Sequence, residues 1–305
     1  MEIKNLAPIT LFVYNRLVHT QKTLKALQKN ELSDQSDLII FSDGPKNYED
    51  LLLVQDVRNY LKTVTGFKSI RIIKRDKNLG LAANIVNGVT DVLAQYDKII
   101  VMEDDIVSSP AYLSFMNQAL DFYLDEKKVW HITGWNEPVK IQDNADVFLW
   151  RVMNCWGWAT WSNRWQYFEK NTQKLIDHYS KDMIHHFNLD GFIPYWTQVK
   201  LNKEQKINSW AVYWYATIHL HDGLCLNPWQ SYIENIGFDG SGTHCGKQDY
   251  KIARELCNNF KVIFPSSIEE SKKAVKAIKV YFKSRRKNLI QRILNKILQF
   301  LSKNS

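Results

Sequence analysis

Four apolar runs, each closed by polar residues and followed by a stretch of helical period, constrain this chain more than any other feature. The runs are "PITLFVY" from Pro8, "DLIIFSD" from Asp37, "SIRIIKRD" from Ser69 and "KIIVMEDD" from Lys98. Between and after them come "HTQKTLKALQKN", "NYEDLLLVQDVRNYLKTV", "NLGLAANIVNGVTDVLAQY" and "SPAYLSFMNQALDFYL". In these, apolar residues recur at helical spacing, as with Leu24 and Leu27, or Leu81, Ile85, Val89 and Val92. Strands this uniformly apolar, alternating with helices, predict an α/β fold: a mainly parallel, Rossmann-like sheet with helices on both faces. Ser109 is expected to cap the fourth helix, with Pro110 at its first position.

Ligands of such sheets bind at the carboxyl ends of the strands. Polar residues collect there: Asn15 and Arg16 after the first strand, Asp43 after the second, Arg75 after the third, and Glu103, Asp104 and Asp105 after the fourth. Three adjacent carboxylates repel one another and resist ionisation unless a cation or hydrogen-bond donors compensate. With no Lys or Arg beside them in sequence, they suit Mg2+ or Mn2+. Such an ion takes one or two carboxylates and completes its shell with water and substrate phosphates. It would neutralise a diphosphate leaving group. The simpler use of the acids is to favour the next helix N-terminus through its dipole. Four strand ends delivering polar groups to one rim decide for the metal.

Composition matters chiefly through charge. With 45% hydrophobic and 24% charged residues the chain is of ordinary globular make-up, so disorder is not the default. The net charge of +8 averages two unlike regions. From Lys272 onward there are 11 Lys or Arg and no acid, which leaves the rest at −3. A basic nucleic-acid groove in the body, and a nucleic-acid partner, are therefore not expected. In the tail, Leu289, Ile290, Ile293, Leu294, Ile297, Leu298 and Leu301 form an apolar stripe between the cations. That pattern predicts attachment to an anionic membrane surface by a tail that can be removed without unfolding the body. There is no signal-peptide pattern and no run long enough to span a bilayer. Cys155, Cys225, Cys245 and Cys257 fit no zinc spacing and are expected to be reduced. The expected location is cytoplasmic, peripherally at the membrane.

Beyond Trp150 the texture changes. Seven of the 11 Trp lie between Trp130 and Trp165, and about half of that cluster is expected to be packing. "SWAVYWYATIHL" reads as a helix with Trp210, Trp214 and Ile218 in register, and "ENIGFDGSGTHCG" as a Gly-rich loop. His219 and His221 are two apart and share no helical face, so they read as packing or surface; His185 and His186 read as solvated.

The order of "YNR", "FSDG", "EDD", "GWNE", "WGWATW" and "GTHC", from about residue 8 to 246, resembles nucleotide-sugar glycosyltransferases of the GT-A fold. The pattern is most similar to the N-acetylglucosaminyltransferase I family and to bacterial family 2-like sugar transferases. "NLGLAANIVNGV" looks like the segment that follows their third strand, and "EDD" like their DXD-type motif. The resemblance implies a metal-dependent, inverting hexosyl- or N-acetylhexosaminyltransferase. It would use a nucleotide-sugar donor, with UDP favoured, and a glycan or lipid-linked glycan acceptor. Tyr14, Asn15 and Arg16 would contact the nucleotide or its diphosphate, with Arg75 and Asn84 in the same donor site. Asp43 would accept the imide N–H of a uracil. Glu103 and Asp104 would face sugar and ribose, and Asp105 would bind the metal. Trp135, Asn136 and Glu137 would lie near the sugar. "WGWATW", with Trp158, would shape the pocket, and His244 would sit near the diphosphate and touch the metal.

One departure matters. Where the family carries its acidic general base, "NSWAVYW" offers Ala211 and Val212. Inversion needs a carboxylate or His to take the acceptor proton. Asp239 in "FDGSG" is the first substitute, since a Gly-flanked loop approaches a substrate closely, and Glu137 is the second. Three regions are expected: a nucleotide-sugar-binding half over 1–150, an acceptor-side half over 151–265, and the basic tail over 266–305. The competing readings are a sugar-nucleotide nucleotidyltransferase and a non-catalytic glycan-binding relic of the same fold.

Overall fold

Period-two alternation decides which side of the sheet each apolar residue faces. The computed structural model describes residues 5–139, 141, 143–240 and 255–285. In it the four runs form β1 (Ile9–Val13), β2 (Asp37–Ser42), β3 (Ser69–Lys74) and β4 (Lys98–Glu103). Ile9, Leu11, Ile100 and Met102 face one side. There they meet α1 (Leu17–Leu27) and α4 (Tyr112–Phe122), with α2 (Tyr48–Leu61) reaching the same layer through Val57 and Leu61. Phe12, Ile99 and Val101 face the other side, against α3 (Leu81–Leu93). In α3, Ile85, Val89 and Val92 are buried as the spacing predicts, while Leu81 is exposed.

The second half contributes further strands to the same sheet: β6 (Val129–Thr133), β7 (Val147–Trp150), β8 (Trp158–Trp161) and β9 (Leu224–Pro228). A two-stranded antiparallel ladder joins β5 (Ile106–Ser108) to β10 (Ile233–Asn235). The eight-stranded order is β3-β2-β1-β4-β8-β6-β9-β7. β1 to β4 pair in parallel, β8 runs against both its neighbours, and β7 runs against β9 at the edge. The fold is a mixed α/β architecture whose central sheet is mainly parallel and draws strands from both sides of residue 150.

Short helices α5 (Ser162–Trp165), α6 (Thr172–His178), α7 (Lys181–Phe187), α8 (Trp196–Lys203) and α9 (Ala211–Leu220) bury the Trp-rich region on the α3 side. There Trp158 stacks on Trp210 with ring centroids 5.1 Å apart. Trp214 donates its indole N–H to His131 Nδ1 at 3.2 Å, so His131 Nε2 carries the proton and donates to the Asn154 carbonyl at 2.9 Å. Burial pushes the His131 pKa down to about 3 and keeps the ring neutral. His219 pairs with His186, not with His221: His186 Nδ1 and His219 Nε2 lie 2.9 Å apart, while His221 stacks on Trp130.

Two local expectations are overturned by long-range contacts. Ser109 does not cap α4, because β10 extends the ladder through it: the Ser109 N–H donates to the Tyr232 carbonyl at 2.8 Å. α4 starts three residues later, and the cap comes from another element, with Leu113 N–H donating to Asn30 Oδ1 at 3.0 Å. The tail is not wholly separable either. Residues 272–285 form a helix, and Ala274, Val275 and Ile278 are buried in the Trp-side core. Arg151 binds Glu270 and Asp190, and Lys279 reaches Asp190 at 2.8 Å, which fixes that helix to the body. The apolar stripe from Leu289 lies outside the described residues. No helix among the described residues is long and apolar enough to cross a membrane.

Candidate active site

The carboxylates sit where the sheet stops. Glu103 ends β4, and Asp104 and Asp105 form the turn into β5. Both aspartates are buried, at 4% and 6% exposure. The turn is tied from below, since Thr23 of α1 donates its hydroxyl to the Asp104 carbonyl at 2.7 Å. It is tied from above by Ile236 N–H, which donates to the Asp105 carbonyl at 2.9 Å. The cation missing from the neighbouring sequence arrives from the end of β1. Arg16 donates through Nε to Asp104 Oδ2 at 3.2 Å and through NH2 to Asp105 Oδ2 at 2.9 Å, and its NH2 also pairs with Asp104 Oδ1. Its NH1 is buried and meets no acceptor among the described residues.

Charge is crowded here. Burial, then Asp105 and Asp104, push the Glu103 pKa up to about 8. Burial pushes Asp104 up to about 6, against the pull of Arg16. Burial also opposes the Arg16 charge, but Asp104 and Asp105 outweigh it and raise its pKa further. With Glu103 held in its protonated form, one Arg faces two aspartates, so the turn retains an affinity for further positive charge.

Other rim residues hold the frame around the acids. Asp43, buried at the end of β2, accepts from the backbone N–H of Gly44 and Leu79 at 2.9 Å and of Gly80 at 3.0 Å. Two of a carboxylate's roughly four acceptor positions are thus spent on clamping the start of α3, and a third on Asp43's own turn. Tyr14 and Asn15 both donate to Asp50 in the first turn of α2, each at 2.7 Å. Sequence reading missed Asp50, whose only signal was its place three residues after the α2 cap Asn47. Arg75 stacks over Phe41 of β2 and pairs with Asp91 of α3 at 3.4 Å. Asn84, near the start of α3, is buried, and its side-chain oxygen has no hydrogen-bond partner among the described residues.

The segment after β10 covers the acids. Its 3-10 turn, Gly237–Asp239, runs so close that a Cβ on Gly237 would lie 2.2 Å from Asp105 Oδ2. Asp239 is therefore brought to the acid turn, half exposed, with its Oδ2 3.2 Å from His19 Nε2. His19 went unread in the sequence, although it stands three residues after Arg16 and so on the same face of the α1 start. Trp135, Trp156 and Phe238 make an edge-to-face row with centroids 4.7 and 5.6 Å apart.

Three expectations need correction or delimitation. Trp158 does not line this pocket: it is 1% exposed and packed between His131, Trp165 and Trp210. Trp156 takes that place, because Gly157 at φ +51° breaks the alternation that would have put both rings on one side. Glu137, the second candidate base, lies beside Tyr195, whose hydroxyl pKa it helps burial to push up. His244 lies outside the described residues.

A divalent cation fits this turn with one carboxylate as its protein ligand. No group of three His, Cys, Asp or Glu among the described residues is arranged to hold a metal alone. Asp105, however, uses only Oδ2 toward Arg16, and its Oδ1 has no hydrogen-bond partner among the described residues. A hard oxygen donor with one open position suits Mg2+ or Mn2+ completed by substrate oxygens.

No family model matches the chain, and no curated protein matches it. Among solved structures it is similar to the mannosyltransferase PcManGT from Pyrobaculum calidifontis in complex with GDP-Man and Mn2+. That likeness has 10% identity and a TM-score of 0.38, covering 72% of this chain and 70% of that one. It is also similar to S. aureus TarS 1-349, at 10% identity and TM-score 0.41, covering 74% of this chain and 59% of that one. Against S. aureus TarS the figures are 14% identity and TM-score 0.28, covering 41% of this chain and 21% of that one. At this distance the likenesses carry no argument about chemistry, which rests on the acid turn and its partners.

Proposed function

We propose that this protein is a GT-A-type glycosyltransferase that moves a sugar from a nucleotide diphosphate, UDP-linked by preference, to a hydroxyl of a glycan or lipid-linked glycan. The observation that carries the reading is the buried Asp104–Asp105 turn at the end of β4, faced by an Arg16 guanidinium with one donor unmatched. Asp105 would hold Mn2+ or Mg2+, which supplies positive charge to a departing diphosphate. Arg16 would give the same diphosphate a planar set of N–H donors. Glu103 and Asp104 address the sugar and ribose hydroxyls. Trp135 and Trp156 wall the pocket with apolar surface.

Transfer with inversion is a single displacement. The acceptor oxygen bonds to the anomeric carbon as the bond from that carbon to the diphosphate oxygen breaks, and the acceptor proton passes to a base. Asp239 suits that role better than Glu137, being half exposed beside the acid turn and oriented by His19. Membrane attachment is proposed for the sequence 286–305, at a cytoplasmic membrane face.

The test is a thermal-shift screen of nucleotide sugars with and without Mn2+, followed by a transfer or donor-hydrolysis assay. A ligand that binds the folded state raises its melting temperature. The expected outcome is a metal-dependent shift for one donor and loss of turnover by at least about 100-fold in Asp105→Asn. Full activity in that variant overturns the reading.

A further inference from the structure

The acid turn already has a cation, and that cation holds one oxygen of the carboxylate proposed for the metal. Arg16 NH2 is 2.9 Å from Asp105 Oδ2, the carboxylate proposed for the metal, and Arg16 takes both oxygens of Asp104. An ion bound to Asp105 would lie within a few ångströms of this guanidinium, and two positive charges at that distance repel strongly in a buried site. The guanidinium is also incompletely used, since NH1 is buried and without an acceptor among the described residues. A buried N–H donor left unmatched marks a place for an oxygen that the protein does not supply.

We propose that Arg16 is a resident counter-ion that makes metal binding conditional on the donor. With no donor present, Arg16 satisfies Asp104 and Asp105 and opposes the metal. A diphosphate offers the guanidinium acceptors of its own, NH1 included, and draws it off Asp105, so the cation and the diphosphate enter together. Metal and donor therefore each raise the other's affinity, as linkage requires. The inference rests on the proposed metal reading at Asp105. Arg16 is in this sense a positioning residue whose partner changes during the cycle.

The test measures Mn2+ alone, with no nucleotide, by the electron paramagnetic resonance of the free ion. It uses the full-length wild type, Arg16→Met, Arg16→Gln, Asp105→Asn and the Arg16→Met/Asp105→Asn double variant. Circular dichroism identifies which neutral variant is folded, and two are made so that one serves if the other is not. The expected result is Mn2+ affinity at least tenfold tighter in the folded Arg16 variant than in wild type, with that gain erased by the added Asp105→Asn. Equal or weaker Mn2+ binding on removal of Arg16, while Asp105→Asn still weakens wild type, overturns the inference and leaves the metal reading standing. A gain that survives Asp105→Asn places the ion elsewhere and overturns both. If both neutral variants unfold, Arg16→Lys replaces them. Lysine cannot bridge both carboxylates as the guanidinium fork does, so Mn2+ affinity no tighter than wild type in that variant counts against the inference.

Discussion

Single atoms decide the fate of the acid turn. Gly237 has room only for hydrogen, because a Cβ would meet Asp105 Oδ2 at 2.2 Å and Cγ at 3.0 Å. Gly237→Ala must therefore lift the 3-10 turn or rotate the carboxylate. The expected outcome is a more than tenfold loss of Mn2+-dependent activity with the sheet intact, read by transfer assay beside circular dichroism. Asp43 is a second such point. Asp43→Ala would orphan the N–H groups of Gly44, Leu79 and Gly80. Urea unfolding should show a loss of about 2–4 kcal/mol: an unsatisfied buried donor costs about 1–3 kcal/mol, and Gly44 is buried whereas Leu79 and Gly80 reach water. His131 sets a pH dependence. Its folded pKa of about 3 is below the ordinary value of 6.5. Between those values the unfolded chain binds a proton that the folded chain refuses, so stability from this residue is full above pH 6.5 and is lost as pH falls toward 3. The slope from this one group reaches about 1.4 kcal/mol per pH unit. His131→Gln should flatten that part of the acid-unfolding curve, whatever it does to stability at pH 7.

Among the elements, α3 couples the core to the rim. Its Gly88 lies on the sheet, where an added Cβ would come within 2.6 Å of the Phe12 ring and 3.1 Å of Phe41. Alanine would add helix propensity of about 1 kcal/mol, but overpacking against two stacked rings costs about 1–3 kcal/mol. Gly88→Ala should therefore destabilise by about 1 kcal/mol, and chemical denaturation measures the sign directly. The strands and helices of the first half were legible because their patterning is local: the four apolar runs and the spacing of Leu24, Ile85 and Val89 each point one way. The acid turn was legible only in part. Its sequence suggested a helix from Pro110 capped by Ser109, and the structure places β5 between the acids and α4, because β10 from more than 120 residues away pairs with it. Trp156 and Trp158 show the same limit, since one left-handed glycine between them sends one ring to the site and the other to the core.

The whole molecule is closed by a helix that its sequence presents as a charged tail. Residues 272–285 set Ala274, Val275 and Ile278 into the Trp-side core. Ile278→Ala should cost about 2–4 kcal/mol in equilibrium unfolding, a result that a detached surface helix would not give. A test of membrane attachment must accordingly cut after Arg285 and not before Lys272. From the sequence alone follow the α/β alternation, the parallel β1–β4 rim and the acids at its end, because period and polarity are properties of neighbouring residues. The tertiary structure decided which groups meet there: Arg16 opposite Asp104 and Asp105, Gly237 above them, and Asp239 beside His19. Those pairings join residues tens to hundreds of positions apart, and only the packing of the sheet and its covering helices brings them within hydrogen-bond distance.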